Sequence, residues 1–415
     1  MMLLEAACVP LLVFTAAQGE DVVHATAHYE LRLAGGPEAL EEAAAAGVVL
    51  EAAREQLEEF FRARPKTKGD ERVSVFLARD RETWLARIRA AGVEPPSAAD
   101  LVHYAPEQDT IFVYSDGTRA QRRTLLLHGA VQQFHCKCKA KNRDLVRSWL
   151  AMGLADHLSL HVWDGSELRL GAQPVVANDD VLGRARELLD PNTLDPGLLF
   201  EQGLQRGEIC MAMTRFLLDH AGTKRRKQFE KLVLGYRGSK LLPSTYAKVL
   251  GDPARVAGEL LQWLDREPQP MRVEAGSWQD DGAAGIRARS GGREARAVFK
   301  LSPQELTVRL AADASTGAAA GIELGGVELD ARWRVSVLPG EILVRGVTSD
   351  GSSYERALPL SGRPDRTVEL ALRRDGADVL LFADREPIGV HALETPLVGL
   401  FVEGGDRLFE GLSWR

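Results

Sequence analysis

Thr124-Leu-Leu-Leu-His128-Gly129-Ala130-Val131-Gln132-Gln133-Phe134-His135 is the stretch on which the reading of this chain turns. It is an apolar, helix-like run with a few polar groups set into it. His128 and Gln132 are four residues apart, which places them on one helix face, one turn from each other. Two histidines at that spacing, with a glutamate directly after the first, are how a helix presents two zinc ligands and a general base. Here one histidine remains. Gly129 and Gln132 hold the other two positions.

Working outward, the next informative stretch is Trp149-Leu150-Ala151-Met152-Gly153-Leu154-Ala155-Asp156-His157, inside a second helix expected over residues 144–162. Upstream, residues 22–33 and 72–78 alternate apolar and polar as half-buried strands do, and residues 110–114 form a third short β run. Between them, residues 38–64 read as a long helix with Val49, Ala53, Leu57 and Phe60 as its apolar stripe. Asp80 is placed to cap a helix carrying Trp84, Leu85 and Ile88. Downstream, helices are expected over 180–189, 198–220, 224–234, 243–250 and 253–264. The last has Asp252 at its N-cap and Pro253 in its first turn. Strands followed by many helices predict an α+β arrangement for residues 19–266.

Beyond the proline-spaced segment Arg266-Glu-Pro-Gln-Pro270 the pattern changes. Short alternating runs such as 306–310, 333–337, 342–347, 367–372, 379–382 and 399–402 are separated by Gly-Gly, Pro-Gly and Asp-Gly pairs. Residues 271–415 therefore read as an all-β antiparallel sandwich.

The 415 residues are 45% hydrophobic and 27% charged, ordinary globular material with ample core. A net charge of −7 argues against a dedicated nucleic-acid binder. The local basic clusters (Lys137, Lys139, Lys141 and Arg143; Lys224 to Lys227) read as solvated faces, because no aromatic platform accompanies them. Cys136 and Cys138 form a C-x-C without a second pair, which is not a zinc or redox spacing. Residues 1–18 outline a secretory signal, an apolar run followed by small residues, although Glu5 stands where a basic residue is usual. An extracytoplasmic location is expected. No stretch approaches the roughly 18 apolar residues of a membrane span.

The two helices together resemble gluzincin-type peptidases, in particular the peptidase MA-like domains of bacterial proteins. Those pair an H-E-x-x-H-Q helix with a later W-L-x-E-G-x-A-[DE]-[YHF] helix whose glutamate is the third zinc ligand. This chain offers His128-Gly-Ala-Val-Gln132-Gln133 and then Trp149-Leu-Ala-Met152-Gly-Leu-Ala-Asp156-His157, with 19 residues between Gln132 and Met152. The resemblance covers about residues 20–265 and implies a zincin-like fold. Position by position, His128 matches a metal ligand, whereas Gly129 replaces the base, Gln132 the second ligand and Met152 the third. One imidazole does not hold a catalytic zinc, which needs three protein ligands and a base. The resemblance thus implies a degenerate, inactive domain with no cofactor.

Zinc remains the alternative only through relocated ligands. His135 lies roughly 10.5 Å along the axis from His128, too far for the two to share an ion. His135 with Asp156 or His157 is the remaining combination. No G-x-S-x-G occurs, and Cys210 sits in an apolar context that reads as core.

In the C-terminal half, Leu381-Phe-Ala-Asp384-Arg385-Glu-Pro387, 399–405 and 409–414 resemble the hairpin and closing strands of concanavalin-like jelly rolls, including laminin-G-like modules. Arg385 stands where those have glycine. Such modules imply a protein or glycan ligand. Trp278, Trp333 and Tyr354 could line a sugar groove, with core packing the competing reading of each. The expectation is a pseudo-peptidase acting as a binding or scaffolding protein. The alternatives are a peptidase with relocated ligands or a carbohydrate-binding protein. The sequence does not set an oligomeric state.

Overall fold

The computed structural model describes residues 21–34, 37–65, 72–94, 96–97, 100–114, 119–138, 148–163, 166–173, 176–177, 181–235, 243–267, 271–275, 277–280, 286–290, 294–298, 305–311, 319–325, 332–347, 353–360, 367–375, 378–392, 397–403 and 406–414. The signal-like residues 1–18 and the basic residues Lys139, Lys141 and Arg143 lie outside them. Two compact units make up the chain: residues 1–55 with 66–133, and residues 56–65 with 134–415.

In the first unit the run expected as one strand over 22–33 is a hairpin, β1 (Asp21–Ala25) and β2 (Tyr29–Ala34). Thr26 and His28 at its bend hydrogen-bond to the Glu51 carboxylate of α1 (Pro37–Phe61). Burial works to raise the Glu51 pKa, but the bonds from Thr26 and His28 outweigh it and lower it. Then come β3 (Val73–Ala78), α2 (Arg81–Ala90), β4 (Val102–Ala105), β5 (Thr110–Tyr114) and α3 (Arg119–Cys138). Asp80 caps α2 as expected, accepting from the Thr83 amide at 2.7 Å.

The sheet order is β1-β2-β3-β5-β4. β2, β3 and β5 are parallel, and β1 and β4 are antiparallel edges. β3 and β5 are buried on both faces, as parallel strands usually are, whereas β2 buries Tyr29, Leu31 and Leu33 and turns Arg32 to solvent. Phe76, Ala78 and Phe112 pack with Trp84 and Ile88 of α2. Ile111 alternates to the other face, where it meets α3 at Gly129. β4 was not legible in the sequence.

The second unit takes in the C-terminal ends of α1 and α3 and continues with α4 (Trp149–Ser159), capped by Ser148. Of the expected 144–162, residues 144–147 lie outside the described ones and Val162 is in a strand. β6 (His161–Trp163) and β7 (Leu168–Leu170) form a hairpin, and β8 (Val176–Ala177) is a short strand. α5 (Val181–Leu188), α6 (Gly207–Arg215), α7 (Gly222–Gly235), α8 (Pro243–Leu250) and α9 (Pro253–Leu264) follow. The helix expected over 198–220 is broken. Two 3-10 turns precede α6, and a π-helical turn (Phe216–His220) ends it. At Gly153, α4 approaches α6 so closely that a Cβ would overlap the Cys210 carbonyl oxygen. Trp149 stacks on Phe229 at 6.1 Å and meets the edge of Tyr246 at 5.1 Å, tying α4 to α7 and α8.

The β-rich segment comprises β9 (Met271–Ala275), β10 (Ser277–Asp280), β11 (Ile286–Arg289), β12 (Glu294–Val298), β13 (Glu305–Ala311), β14 (Ala319–Gly325), β15 (Arg332–Leu338), β16 (Glu341–Val347), β17 (Ser353–Pro359), β18 (Thr367–Asp375), β19 (Asp378–Ala383), β20 (Glu386–Ala392), β21 (Leu397–Glu403) and β22 (Asp406–Trp414). Two sheets form, β10-β11-β22-β13-β18-β19-β20 and β17-β16-β15-β14-β21-β12-β9-β8. Every pairing of β9 to β22 with one another is antiparallel. β8 joins β9 in parallel. Alternate residues meet in one core, for example Leu306, Val308 and Leu310 of β13 with Ile322 and Leu324 of β14 and Leu400 of β21. The expected antiparallel sandwich is present.

Candidate functional site

α3 positions the residues on which the metal question rests. His128 and Gln132 are 7% exposed each, and the Gln132 side-chain amide nitrogen lies 2.9 Å from His128 Nε2. An amide nitrogen only donates, so the ring nitrogen accepts, and the lone pair a metal would use is occupied. At Gly129 a Cβ would overlap Ile111 Cγ2 and come within 3.2 Å of Val102 Cγ2. A glutamate there would force the Ile111 side chain to move. Gln133, fully buried, reaches Asp109 at 3.5 Å, and the Tyr104 hydroxyl donates to the same carboxylate at 2.8 Å. That residue of the motif braces the turn between β4 and β5.

In the second unit, His135 is 3% exposed, and its Nε2–H donates to the Val233 carbonyl at 3.0 Å. Burial lowers its pKa and that bond opposes the shift. Its ring lies 5.7 Å from Phe61. Met152 is half-buried on α4, one residue before the close contact at Gly153. His157 is 4% exposed, with Nε2 3.9 Å from Asp219 Oδ2 and Nδ1 buried without a partner. Burial holds its pKa down at about 4, with Asp219 opposing and Arg215 and His220 reinforcing. The Cys210 thiol, 2% exposed, is pushed up to about 12 by burial and by Asp156, so it is core and no nucleophile. Among the described residues no group of three or more His, Cys, Asp or Glu could hold a metal ion. None of their helices is long and apolar enough to cross a membrane.

In the sandwich, Trp333 is core, and Trp278 and Tyr354 pack against that core, Trp278 on Phe409 and Tyr354 on Trp333. The polar constellation lies instead on the opposite face of β12, β14, β15 and β21. Arg334 pairs with Glu294 at 2.7 Å, with Glu323 at 2.9 Å and with Glu403. Its guanidinium lies 4.8 Å from the centre of the Phe401 ring. Burial works to lower the Arg334 pKa, but the three carboxylates outweigh it and raise it. Sequence reasoning missed this cluster because its four charges come from four strands, each reading as an ordinary outward position.

No family model and no curated protein matches this chain. Among solved structures it is similar to a carbohydrate-binding module from Bacillus subtilis (13% identity, 35% of this chain and 94% of that one, TM-score 0.28). A Bacillus licheniformis beta-glucanase is also similar (10% identity, 31% and 78%, TM-score 0.25). A third is the laminarinase catalytic domain of Thermotoga maritima (14% identity, 29% and 70%, TM-score 0.22).

Proposed function

We propose that this chain is a non-catalytic binding protein acting outside the cytoplasm. In this reading a degenerate zincin-like domain (residues 19–266) is joined to a concanavalin-like jelly roll (residues 271–415). One observation carries the non-catalytic half: the groups that would do metal chemistry on α3 are committed to packing. Gln132 occupies His128 Nε2, and Ile111 fills the space a base at position 129 would need. The helix supports the sheet where a peptidase would polarise water. A zinc titration of the purified full chain tests this, because a ligand that binds only the folded state at about 100 times its Kd raises stability by about 2.7 kcal/mol. The expected result is an unchanged melting temperature. A saturable rise at one equivalent, or chelator-sensitive cleavage lost in His128→Ala, would restore the peptidase with relocated ligands.

A second reading concerns what is bound, and the Arg334 cluster favours a glycan. Glu323, 1% exposed, holds the Arg334 guanidinium from within, while the partly exposed Arg334, Glu294 and Glu403 keep polar edges open to neighbouring sugar hydroxyls. On a glycan array the full chain should bind a defined set of sugars and Arg334→Ala should lose it. A blank array for the wild type would remove this reading.

A further inference from the structure

The second unit holds a groove that neither reading uses. Its volume is about 390 Å³, within the usual range for small-ligand sites. Leu57 and Leu158, both buried, form its floor, and Phe60, Leu170 and Leu234 form its apolar walls. One wall is fixed in advance. The Gln56 side chain donates to the Leu168 carbonyl at 2.5 Å and accepts from the Leu170 amide at 3.0 Å, pinning the β6–β7 hairpin to α1. A wall already ordered costs little on binding.

Arg62 stands at the rim, in the residue just past the last turn of α1. Its amide donates to the Glu59 carbonyl at 3.1 Å, and the Ala63 amide donates to the Glu58 carbonyl at 3.2 Å. That pattern closes a helix with a left-handed residue, a place normally given to glycine. Arg62 takes φ +48° there despite its side chain. The side chain is exposed and makes no ion pair among the described residues. By contrast Arg226, also at the rim, is paired with Glu230 at 2.8 Å. Arg62 thus combines a strained backbone with a guanidinium free of ion pairs among the described residues, beside an apolar cleft. Strain of this kind, held by surrounding structure, gathers at ligand sites.

We propose that this groove binds a medium-chain aliphatic carboxylate, its chain on Leu57, Phe60, Leu158, Leu170 and Leu234 and its head on Arg62. A guanidinium takes a carboxylate through two parallel hydrogen bonds, and an alcohol cannot reproduce them. Glu59 also lines the rim and opposes an anionic head.

The test is calorimetric titration of the full chain with decanoate. Saturable one-to-one binding is expected, with decanol weaker by at least about tenfold for want of the charge-assisted bonds. Arg62→Gly should lose at least about tenfold in affinity for the same reason, while its melting temperature stays level or rises, because glycine relieves the left-handed strain. Glu59→Gln should bind decanoate more tightly than the wild type. No saturable decanoate binding, equal binding of decanol, undiminished binding by Arg62→Gly, or equal capture of a peptide with an apolar C-terminus would overturn the proposal.

Discussion

The polar face of α3 at His128 and the groove beside Arg62 were built in opposite ways. At His128 the polar groups are buried and turned on each other, and the space around Gly129 is filled by the side chains of Ile111 and Val102. At Arg62 the apolar side chains stand open, the charge is unpaired, and the backbone is in a conformation that suits glycine better. The residues that look like a motif do structural work. The residues that look like an ordinary helix end form an open site. Resemblance to a motif in sequence says little about chemistry, because availability to a ligand depends on what packs beside each group.

The largest expected effect breaks the closed side of this comparison. Gly129→Glu supplies the residue type a zinc peptidase needs, yet it drives a side chain into Ile111. Overpacking of this severity costs about 3 kcal/mol or more, so the denaturation midpoint should fall sharply. A variant of wild-type stability would show that the face can open.

His157 comes next. Its unfolded pKa is near 6.5 and its folded value about 4, so between those values the unfolded chain takes up a proton that the folded chain refuses. Stability is whole above pH 6.5 and falls as the pH drops toward 4, by on the order of 3 kcal/mol. Melts of wild type and His157→Gln across that window should diverge, with the variant flatter. Parallel curves would refute the assignment.

Gln132→Ala removes the bond to His128 and should cost about 1–2 kcal/mol, read from urea unfolding. No loss would mean that the bond contributes nothing.

The smallest effect sharpens the open side. Asp384 and Arg385, at the turn between β19 and β20, have φ of +49° and +73°, as a two-residue hairpin turn requires. Arg385→Gly should stabilise by up to about 1 kcal/mol. Arg62→Gly should do likewise but lose the ligand, which separates strain that serves binding from strain that serves only a turn.

Much of the fold was legible because period-2 and period-3.6 patterns survive in single segments. The sandwich strands from 306 to 402, the Asp80 and Asp252 caps and the helices of 243–264 all announce themselves locally. Less legible were features made by partners distant in sequence. The residue order gives no sign that Ile111 fills the place beside Gly129, that Arg334 gathers Glu294, Glu323 and Glu403 from other strands, or that α6 ends in a π turn. In sequence the hairpin at 21–34 looks like one strand, because its bend, Thr26-Ala-His28, carries neither glycine nor proline. Arg62 gave no signal at all, since its significance lies in a backbone angle that glycine would adopt more readily.

The central claim is that the His128 face is structural. Elemental analysis of the purified full chain, after dialysis without chelator, tests it most directly. The account predicts zinc well below one equivalent, unchanged in His128→Ala. One tightly held equivalent that disappears with His128→Ala would contradict it.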